Sequence, residues 1–196
     1  GNQNVAVGNT AGSYLLGTQT TIVGSQAGRF ATGSYNTFVG MSAGYGGTTS
    51  APYSSGQLNT ALGYQALKNF TTAVENTAVG HTSMLGITTG GYNTAVGIQS
   101  LYRNQTGTAN VAIGKGAMEG VPGNSHSNNT AVGFEALKLI TTAAGNTALG
   151  YQAGDSITTS GYNALVGYEA GQALAGGSGT NVAIGYQPLY NGTANS

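Results

Sequence analysis

The sequence predicts an all-β fold, a parallel β-solenoid or β-roll in which each repeat forms one turn. The main observation is a pentapeptide, Asn-Thr-Ala-(Val/Leu)-Gly, whose variants recur eleven times along 196 residues. Successive copies are 16 to 19 residues apart, with one step of 23. Fixed-period similarity in this range is typical of repeat proteins. Most of the pentapeptides also carry β-branched residues at alternate positions, which favours a short strand.

The units align on the last glycine of the pentapeptide, which we number position 0. These glycines are Gly8, Gly24, Gly40, Gly63, Gly80, Gly97, Gly114, Gly133, Gly150, Gly167 and Gly185. Position −3 is usually Thr or Val, position −2 is usually Ala, and position −1 is always aliphatic. Because successive side chains of a strand point to opposite faces, positions −3 and −1 share one face and position −2 takes the other.

The aliphatic row at position −1 is predicted to form the inside of each coil. Its members are Val7, Val23, Val39, Leu62, Val79, Val96, Ile113, Val132, Leu149, Val166 and Ile184. The Ala row at position −2 is then expected to form a smooth outer face that another strand layer or subunit could approach.

Position −4 is predicted to form an asparagine ladder along the solenoid. Asn tolerates the left-handed backbone region and bonds nearby backbone, and stacked Asn side chains can bond to each other. The ladder comprises Asn36, Asn59, Asn76, Asn93, Asn110, Asn129, Asn146, Asn163 and Asn181; Asn4 shares the position, and Thr20 is the exception.

One coil cannot bury its own apolar face, so coils stack, about 4.8 Å apart. We expect a single domain over residues 1–196, about eleven coils long, with two short strands and two turns per coil. The chain begins and ends within a repeat, so we expect a segment of a longer fibre. Insertions at 45–57, 119–127 and 176–179 are expected to be loops on one side of the rod.

Composition excludes several classes of function. Five basic and five acidic residues give a formal net charge of zero, so we expect neither nucleic acid nor an anionic membrane as a partner. No apolar run is long enough to span a bilayer, so we expect no membrane insertion by this segment. The chain has no cysteine and only one Asp, Asp155, so we expect no metal and no cofactor.

We also expect no catalytic residues. The segment Gly40-Met-Ser-Ala-Gly44 matches the Gly-x-Ser-x-Gly nucleophile elbow, but Ser42 occupies a repeat position that holds Gln in several other units. His81 occupies a position that holds Tyr in four other units, which favours a place in a surface row.

The segments Asn110-Val-Ala-Ile-Gly114 and Asn181-Val-Ala-Ile-Gly185 resemble the signature of trimeric autotransporter adhesin heads. The longer form, such as Asn146-Thr-Ala-Leu-Gly-Tyr-Gln-Ala-Gly154, is similar to repeats of bacterial surface fibres and phage tail fibres. The resemblance covers essentially the whole chain, although the units here are longer than those of the family. It implies a left-handed β-roll assembled as a homotrimer, displayed outside the cell and adhering to a cell-surface glycan or protein ligand.

Three other functions are alternatives to adhesion by a surface fibre. The same repeat suits the shaft or receptor-binding segment of a phage-type tail fibre on a virion. A regular Thr face could bind ice, although aliphatic residues would share that face. A polysaccharide lyase would need clustered charged residues, whereas the charged residues here are scattered.

Ligand contact is expected where the repeat is interrupted, because loops carried by a rigid scaffold often bind. The candidates are Tyr45, Pro52, Tyr53, Pro122 and His126. Two tyrosine rows are weaker candidates and are expected to pack at coil corners or between subunits. One follows position 0 (Tyr64, Tyr151, Tyr168, Tyr186), and the other precedes the Asn (Tyr35, Tyr92, Tyr162).

Overall fold

A computed structural model describes residues 3–47, 50–51, 53–175 and 179–189. It is an all-β solenoid with eleven strands in one sheet, ordered β1 to β11 along the chain. The strands are β1 Val5–Val7, β2 Thr21–Val23, β3 Thr37–Val39, β4 Thr60–Leu62, β5 Thr77–Val79, β6 Thr94–Val96, β7 Val111–Ile113, β8 Thr130–Val132, β9 Thr147–Leu149, β10 Ala164–Val166 and β11 Val182–Ile184. The predicted parallel solenoid with one repeat per turn is therefore confirmed.

Each strand pairs in parallel with the next, and equivalent repeat positions face each other. In the β5–β6 pair, Thr77 lies beside Thr94, Ala78 beside Ala95 and Val79 beside Val96. The 23-residue step does not disturb this register, since Phe38 of β3 still faces Ala61 of β4. The insertions therefore leave the stack of coils intact.

Each coil contains one strand of three residues, not the two strands that we expected. Turns and bends make up most of the remaining length, and they depend on left-handed backbone at fixed positions. In the fifth coil Glu75, Gly80, Thr82 and Met84 have φ between 51° and 131°. Such values are uncommon for residues other than glycine. Here they aim backbone groups at neighbouring coils: the Thr82 N–H donates to the Tyr64 carbonyl at 2.9 Å, and the Met84 N–H donates to the Ser100 carbonyl at 3.0 Å.

The glycine at position 0 is required by close approach as well as by conformation. A Cβ on Gly63, whose φ is +136°, would lie 2.5 Å from the carbonyl oxygen of Gly80 in the next coil. Any side chain there would push adjacent coils apart. The same contact occurs at position 0 of the first ten units, and it explains why glycine is required there.

The prediction that position −1 forms the core is wrong. Val7, Val23, Leu62, Val96, Ile113, Leu149 and Ile184 are 36% to 70% exposed, and Val39, Val79, Val132 and Val166 are half-buried. Position −2 is buried in every strand after β1, from Ile22 to Ala183. The aliphatic row is continuous along the sheet, as expected, but it lies on the outer face.

The asparagine ladder explains why the faces are inverted. Position −4 is buried along the ladder, and position −2 shares its side of the chain because strand side chains alternate. The interior also has to hold larger side chains from the opposite wall of the coil, at positions +4 and +7. Leu67, Met84, Leu101, Met118 and Leu137 fill position +4, and Phe70, Ile87, Ile140 and Ile157 fill position +7. Where position +4 holds Leu or Met, position −2 is Ala.

The ladder itself runs from Asn36 to Asn181, with a hydrogen bond between the side-chain amides of each neighbouring pair. At Asn93 the side-chain N–H groups donate to Asn76 Oδ1 at 3.0 Å and to the Gly107 carbonyl at 3.0 Å. Asn93 Oδ1 accepts from the backbone N–H and the side-chain amide of Asn110. The ladder thus satisfies buried polar groups inside a narrow core, which is what buried amides require.

Candidate functional site

Two of the predicted ligand residues, Tyr45 and Tyr53, lie together in an aromatic cluster. The cluster also contains Tyr14 and Phe30, and its ring centroids are 4.7 to 5.9 Å apart. Phe30 is buried at its centre, whereas Tyr14 is 40% exposed. The insertion after Gly44 therefore folds back onto the rod and adds Tyr53 to rings from three successive coils. Pro52 lies outside the described residues.

Two cations border this cluster. The Arg29 guanidinium lies 5.1 Å from the centroid of Phe30, and the Lys68 ammonium lies 5.9 Å from that of Tyr45. Both distances suit an attraction between a cation and a ring face. Arg29 Nε is buried and has no hydrogen-bond partner among the described residues.

Pro122 is exposed at the rim of a cleft of about 240 Å³. Leu85, Gly86, Tyr102, Arg103, Gln105, Pro122 and Gly123 line it. The guanidinium of Arg103 lies 5.4 Å from the ring of Tyr102. The cleft therefore repeats the pairing of a cation with an aromatic ring.

The cluster and the cleft lie on the same side of the solenoid. Apart from Gln105 at position +8, their residues from the regular coils occupy positions +5 and +6, and we call this side of the solenoid the far wall. Position +4 meets position −2 across the core, as Gly44 meets Phe38, so this wall lies opposite the strands. Backbone hydrogen bonds join it from coil to coil: Phe30 to Tyr45, Gly46 to Lys68, Asn69 to Leu85, Gly86 to Tyr102, and Arg103 to Glu119.

His126 does not lie at the surface, so its prediction as a ligand contact is wrong. The residue is 1% exposed, and neither ring nitrogen has a hydrogen-bond partner among the described residues. Burial lowers the pKa of His126 from 6.5 to about 4, because the charged form loses its hydration. Its carbonyl accepts from Asn104 and Asn110, which ties the second insertion to the ladder. His126 is thus a core residue of the insertion.

The tyrosine row after position 0 forms a stack along one corner of the solenoid. Phe134, Tyr151, Tyr168 and Tyr186 have centroids 5.0 to 5.3 Å apart and planes within 10° of parallel. Because neighbouring rings cover each other's faces, the stack offers mainly ring edges to a ligand. A hydrogen bond with Glu169 raises the pKa of Tyr168. The row therefore serves coil-to-coil packing.

The other aromatic row and the remaining candidates have separate roles. Tyr35, Tyr92 and Tyr162 are 51% to 72% exposed and have φ near +60°.

His81 stacks on Tyr64 with centroids 5.1 Å apart. Ser42 Oγ donates to Gln26 Oε1 at 3.4 Å and is 5% exposed. The Ser42 hydroxyl thus donates to an amide oxygen, whereas an activated nucleophile donates to a base.

The outer face of the sheet is the most regular surface, and sequence reasoning missed it. Thr or Val at position −3 and an aliphatic residue at position −1 point outward from every strand except β10, where position −3 is Ala164. Together they form two parallel rows along the rod. Sequence reasoning also missed Tyr14, Arg29, Phe30, Lys68, Tyr102 and Arg103. Their shared repeat positions, +5 and +6, were the available signal.

The described part of the chain contains no group of three or more metal-binding side chains. Within those residues there is also no helix long and apolar enough to cross a membrane. Comparison with protein-family models, curated proteins and solved structures finds no match.

Proposed function

We propose that this chain is a structural and adhesive segment of an extracellular homotrimeric fibre, with its outer strand face at the subunit interface. The observation that carries the proposal is the outward-facing aliphatic row at position −1, which continues through all eleven strands and is exposed in seven of them. Contiguous apolar surface on a soluble protein commonly marks an interaction site. The resemblance to trimeric adhesin heads supports the same assembly.

The geometry of the face suits three copies around one axis. Each strand contributes two outward side chains, so the surface is narrow and as long as the sheet. A narrow strip with one apolar row can face two neighbours across a threefold axis, and such closed symmetry avoids open-ended aggregation. The coil interior is narrow and largely alanine on the strand side, so a second buried surface adds needed stability.

Sedimentation equilibrium tests the assembly directly. We expect wild-type protein to sediment as a trimer and Val96→Asp to sediment as a folded monomer, because Val96 is 37% exposed in the single chain. Gln105→Asp in the same coil lies on the far wall and is the matched control. A wild-type monomer, or a trimeric Val96→Asp variant, contradicts this interface.

The adhesive role needs a separate measurement. We expect the trimer to bind immobilised cell-surface glycans or proteins, and binding to fall when the 45–57 insertion is shortened to the regular repeat length. The insertion supplies two rings of the aromatic cluster. Unchanged binding by the shortened protein would place adhesion elsewhere on the fibre.

Ice binding is a second candidate, and the outward Thr row favours it. Thr21, Thr37, Thr60, Thr77 and Thr94 stand side by side on consecutive strands, about 4.8 Å apart. The two functions compete for one face, because a trimer interface would cover the Thr row. A thermal-hysteresis assay on wild-type protein and on Thr77→Lys distinguishes them.

A further inference from the structure

We propose that the far wall of coils one to six binds an acidic polysaccharide, with Arg29, Lys68 and Arg103 pairing with its carboxylates. The inference deepens the adhesive function proposed above, on which it rests, by naming the ligand class and the side chains that recognise it. Three features of the far wall support this proposal. Its charged residues in coils one to six are all cationic, each cation lies beside an aromatic ring, and the cations are regularly spaced.

Charge is segregated along the far wall. In coils one to six its charged residues are Arg29, Lys68 and Arg103, and all three are cationic. Acidic residues enter this wall only at Glu119 and Asp155, in coils seven and nine. There they raise the pKa of Lys138, after the larger effect of its hydrogen bond to Glu135.

In the described part of the chain, none of the three cations forms an ion pair with an acidic residue. Among the described residues the one ion pair joins Lys138 to Glu135, at 2.8 Å. Arg103 is one coil from Glu119 but forms no ion pair with it. Arg29 in addition keeps a buried Nε without a hydrogen-bond partner. No acidic side chain of the described residues therefore neutralises the charges of these three cations.

Each cation has an aromatic ring beside it. Phe30, Tyr45 and Tyr102 lie 5.1, 5.9 and 5.4 Å from the charges of Arg29, Lys68 and Arg103. Tyr14, Tyr53 and Tyr102 also offer partly exposed rings. The uncovered parts of these rings suit the apolar C–H groups of sugars, and the neighbouring cations suit uronate carboxylates. Between coils five and seven the cleft widens this wall into a groove beside Arg103.

The spacing favours a polysaccharide over nucleic acid. Arg29, Lys68 and Arg103 stand in the second, fourth and sixth coils, so neighbouring cations are separated by about 10 Å along the axis. That separation is comparable to the length of two linked pyranose rings, so it suits a chain with one carboxylate per disaccharide. Duplex DNA carries a charge about every 1.7 Å, for which three widely separated cations are a poor match.

Direct binding with hyaluronan oligosaccharides, which alternate uronate and neutral sugars, tests the proposal by titration calorimetry. We expect saturable binding that weakens as salt is raised. The triple variant Arg29→Gln, Lys68→Gln, Arg103→Gln should bind at least about tenfold more weakly, since each exposed pair contributes roughly two- to fivefold. The control is Lys115→Gln, whose charge lies over Phe134 at the tyrosine corner, and we expect its affinity to stay within about twofold of wild type.

Three outcomes would overturn the proposal: no hyaluronan binding by wild type, equal binding by the triple variant, or equal binding of neutral dextran. Tighter binding of duplex DNA than of hyaluronan at the same salt would also overturn it and would assign the wall to nucleic acid. Sedimentation and a surface-adhesion assay on the same triple variant keep the two hypotheses apart. If the triple variant is a trimer and still adheres, only the proposed acidic polysaccharide ligand is contradicted. If the wild-type protein is a monomer and does not adhere, the proposed fibre function is contradicted.

Discussion

The ring of Phe38 occupies the space that a side chain at Gly44 would need. A methyl group built on Gly44 would overlap the Phe38 ring. The same relation holds in two other coils, where Gly28 lies against Ile22 and Gly171 against Leu165. In coils four to eight the sizes are reversed, with Ala at position −2 and Leu or Met at position +4. Leu67 and Ala61 are one such pair, and both are fully buried. In these coils positions −2 and +4 therefore share one volume.

This exchange of volume predicts a rescue. Phe38→Ala should lower the free energy of unfolding by about 3–5 kcal/mol, because it leaves a cavity. Adding Gly44→Leu should restore a large part of the loss, since Leu67 adopts the same left-handed conformation at the equivalent position, with φ 52°. Urea unfolding of the two single variants and the double variant measures the coupling.

The control for this rescue is Gly44→Leu alone, which should be strongly destabilising because the Phe38 ring already fills the site. Additive effects of the two substitutions would show that positions −2 and +4 do not share a volume.

The repeat, its period and the parallel stacking could be predicted from the sequence, because eleven aligned units leave little choice of architecture. The face of each strand was not predicted correctly, since hydrophobicity alone placed the larger aliphatic residues of position −1 inside. The size relation between Phe38 and Gly44, and between Ala61 and Leu67, was present in the sequence and identifies positions −2 and +4 as core neighbours. Volume, rather than hydrophobicity, decides what fits in so narrow a coil.

The candidate site was only partly predictable for a different reason. Tyr45 and Tyr53 were predicted as candidate ligand contacts, because the 45–57 insertion that contains them interrupts the repeat. The repeat period was sufficient to place Arg29, Lys68 and Arg103 on one side of the solenoid. Their contacts with aromatic rings could not be predicted, because these depend on side-chain direction. The burial of His126 could not be read from its neighbours, since Pro122 in the same insertion is exposed.

The corrected faces predict opposite outcomes for adjacent residues. Ala95→Asp should unfold the solenoid around β6, because it places a charge in a fully buried site that lacks room or partners. Val96→Asp should retain the β-rich circular dichroism spectrum, because its side chain points outward. Circular dichroism spectra of the two variants, recorded at the same protein concentration, test this difference. A folded Ala95→Asp or an unfolded Val96→Asp is incompatible with this assignment.

The asparagine ladder should be costly to interrupt. Asn110→Ala removes the acceptor for two Asn129 N–H groups and the donor to Asn93 Oδ1. Orphaned buried polar groups each cost about 1–3 kcal/mol, so we expect a loss of about 3 kcal/mol or more. Urea unfolding measures it, with Gln105→Ala as the control because Gln105 is exposed in the preceding coil. Equal midpoints for the two variants would show that the ladder contributes little to stability.

Burial of His126 should make the fold sensitive to mild acid. Its pKa is lowered to about 4 in the folded chain, against 6.5 when solvated, so between these values the unfolded state binds a proton that the folded state does not. Stability is therefore complete above about pH 6.5 and falls as the pH approaches 4. The difference between the two pKa values corresponds to a loss of about 3 kcal/mol.

Urea unfolding from pH 7.5 to 4.5 measures this loss, and His126→Asn should remove most of the pH dependence. His81→Asn is the matched control, because His81 is an exposed member of the aromatic row. We expect that variant to follow the wild-type curve. If His126→Asn follows the wild-type curve instead, and His81→Asn flattens it, the acid-sensitive group lies at the surface and His126 is not buried in its neutral form.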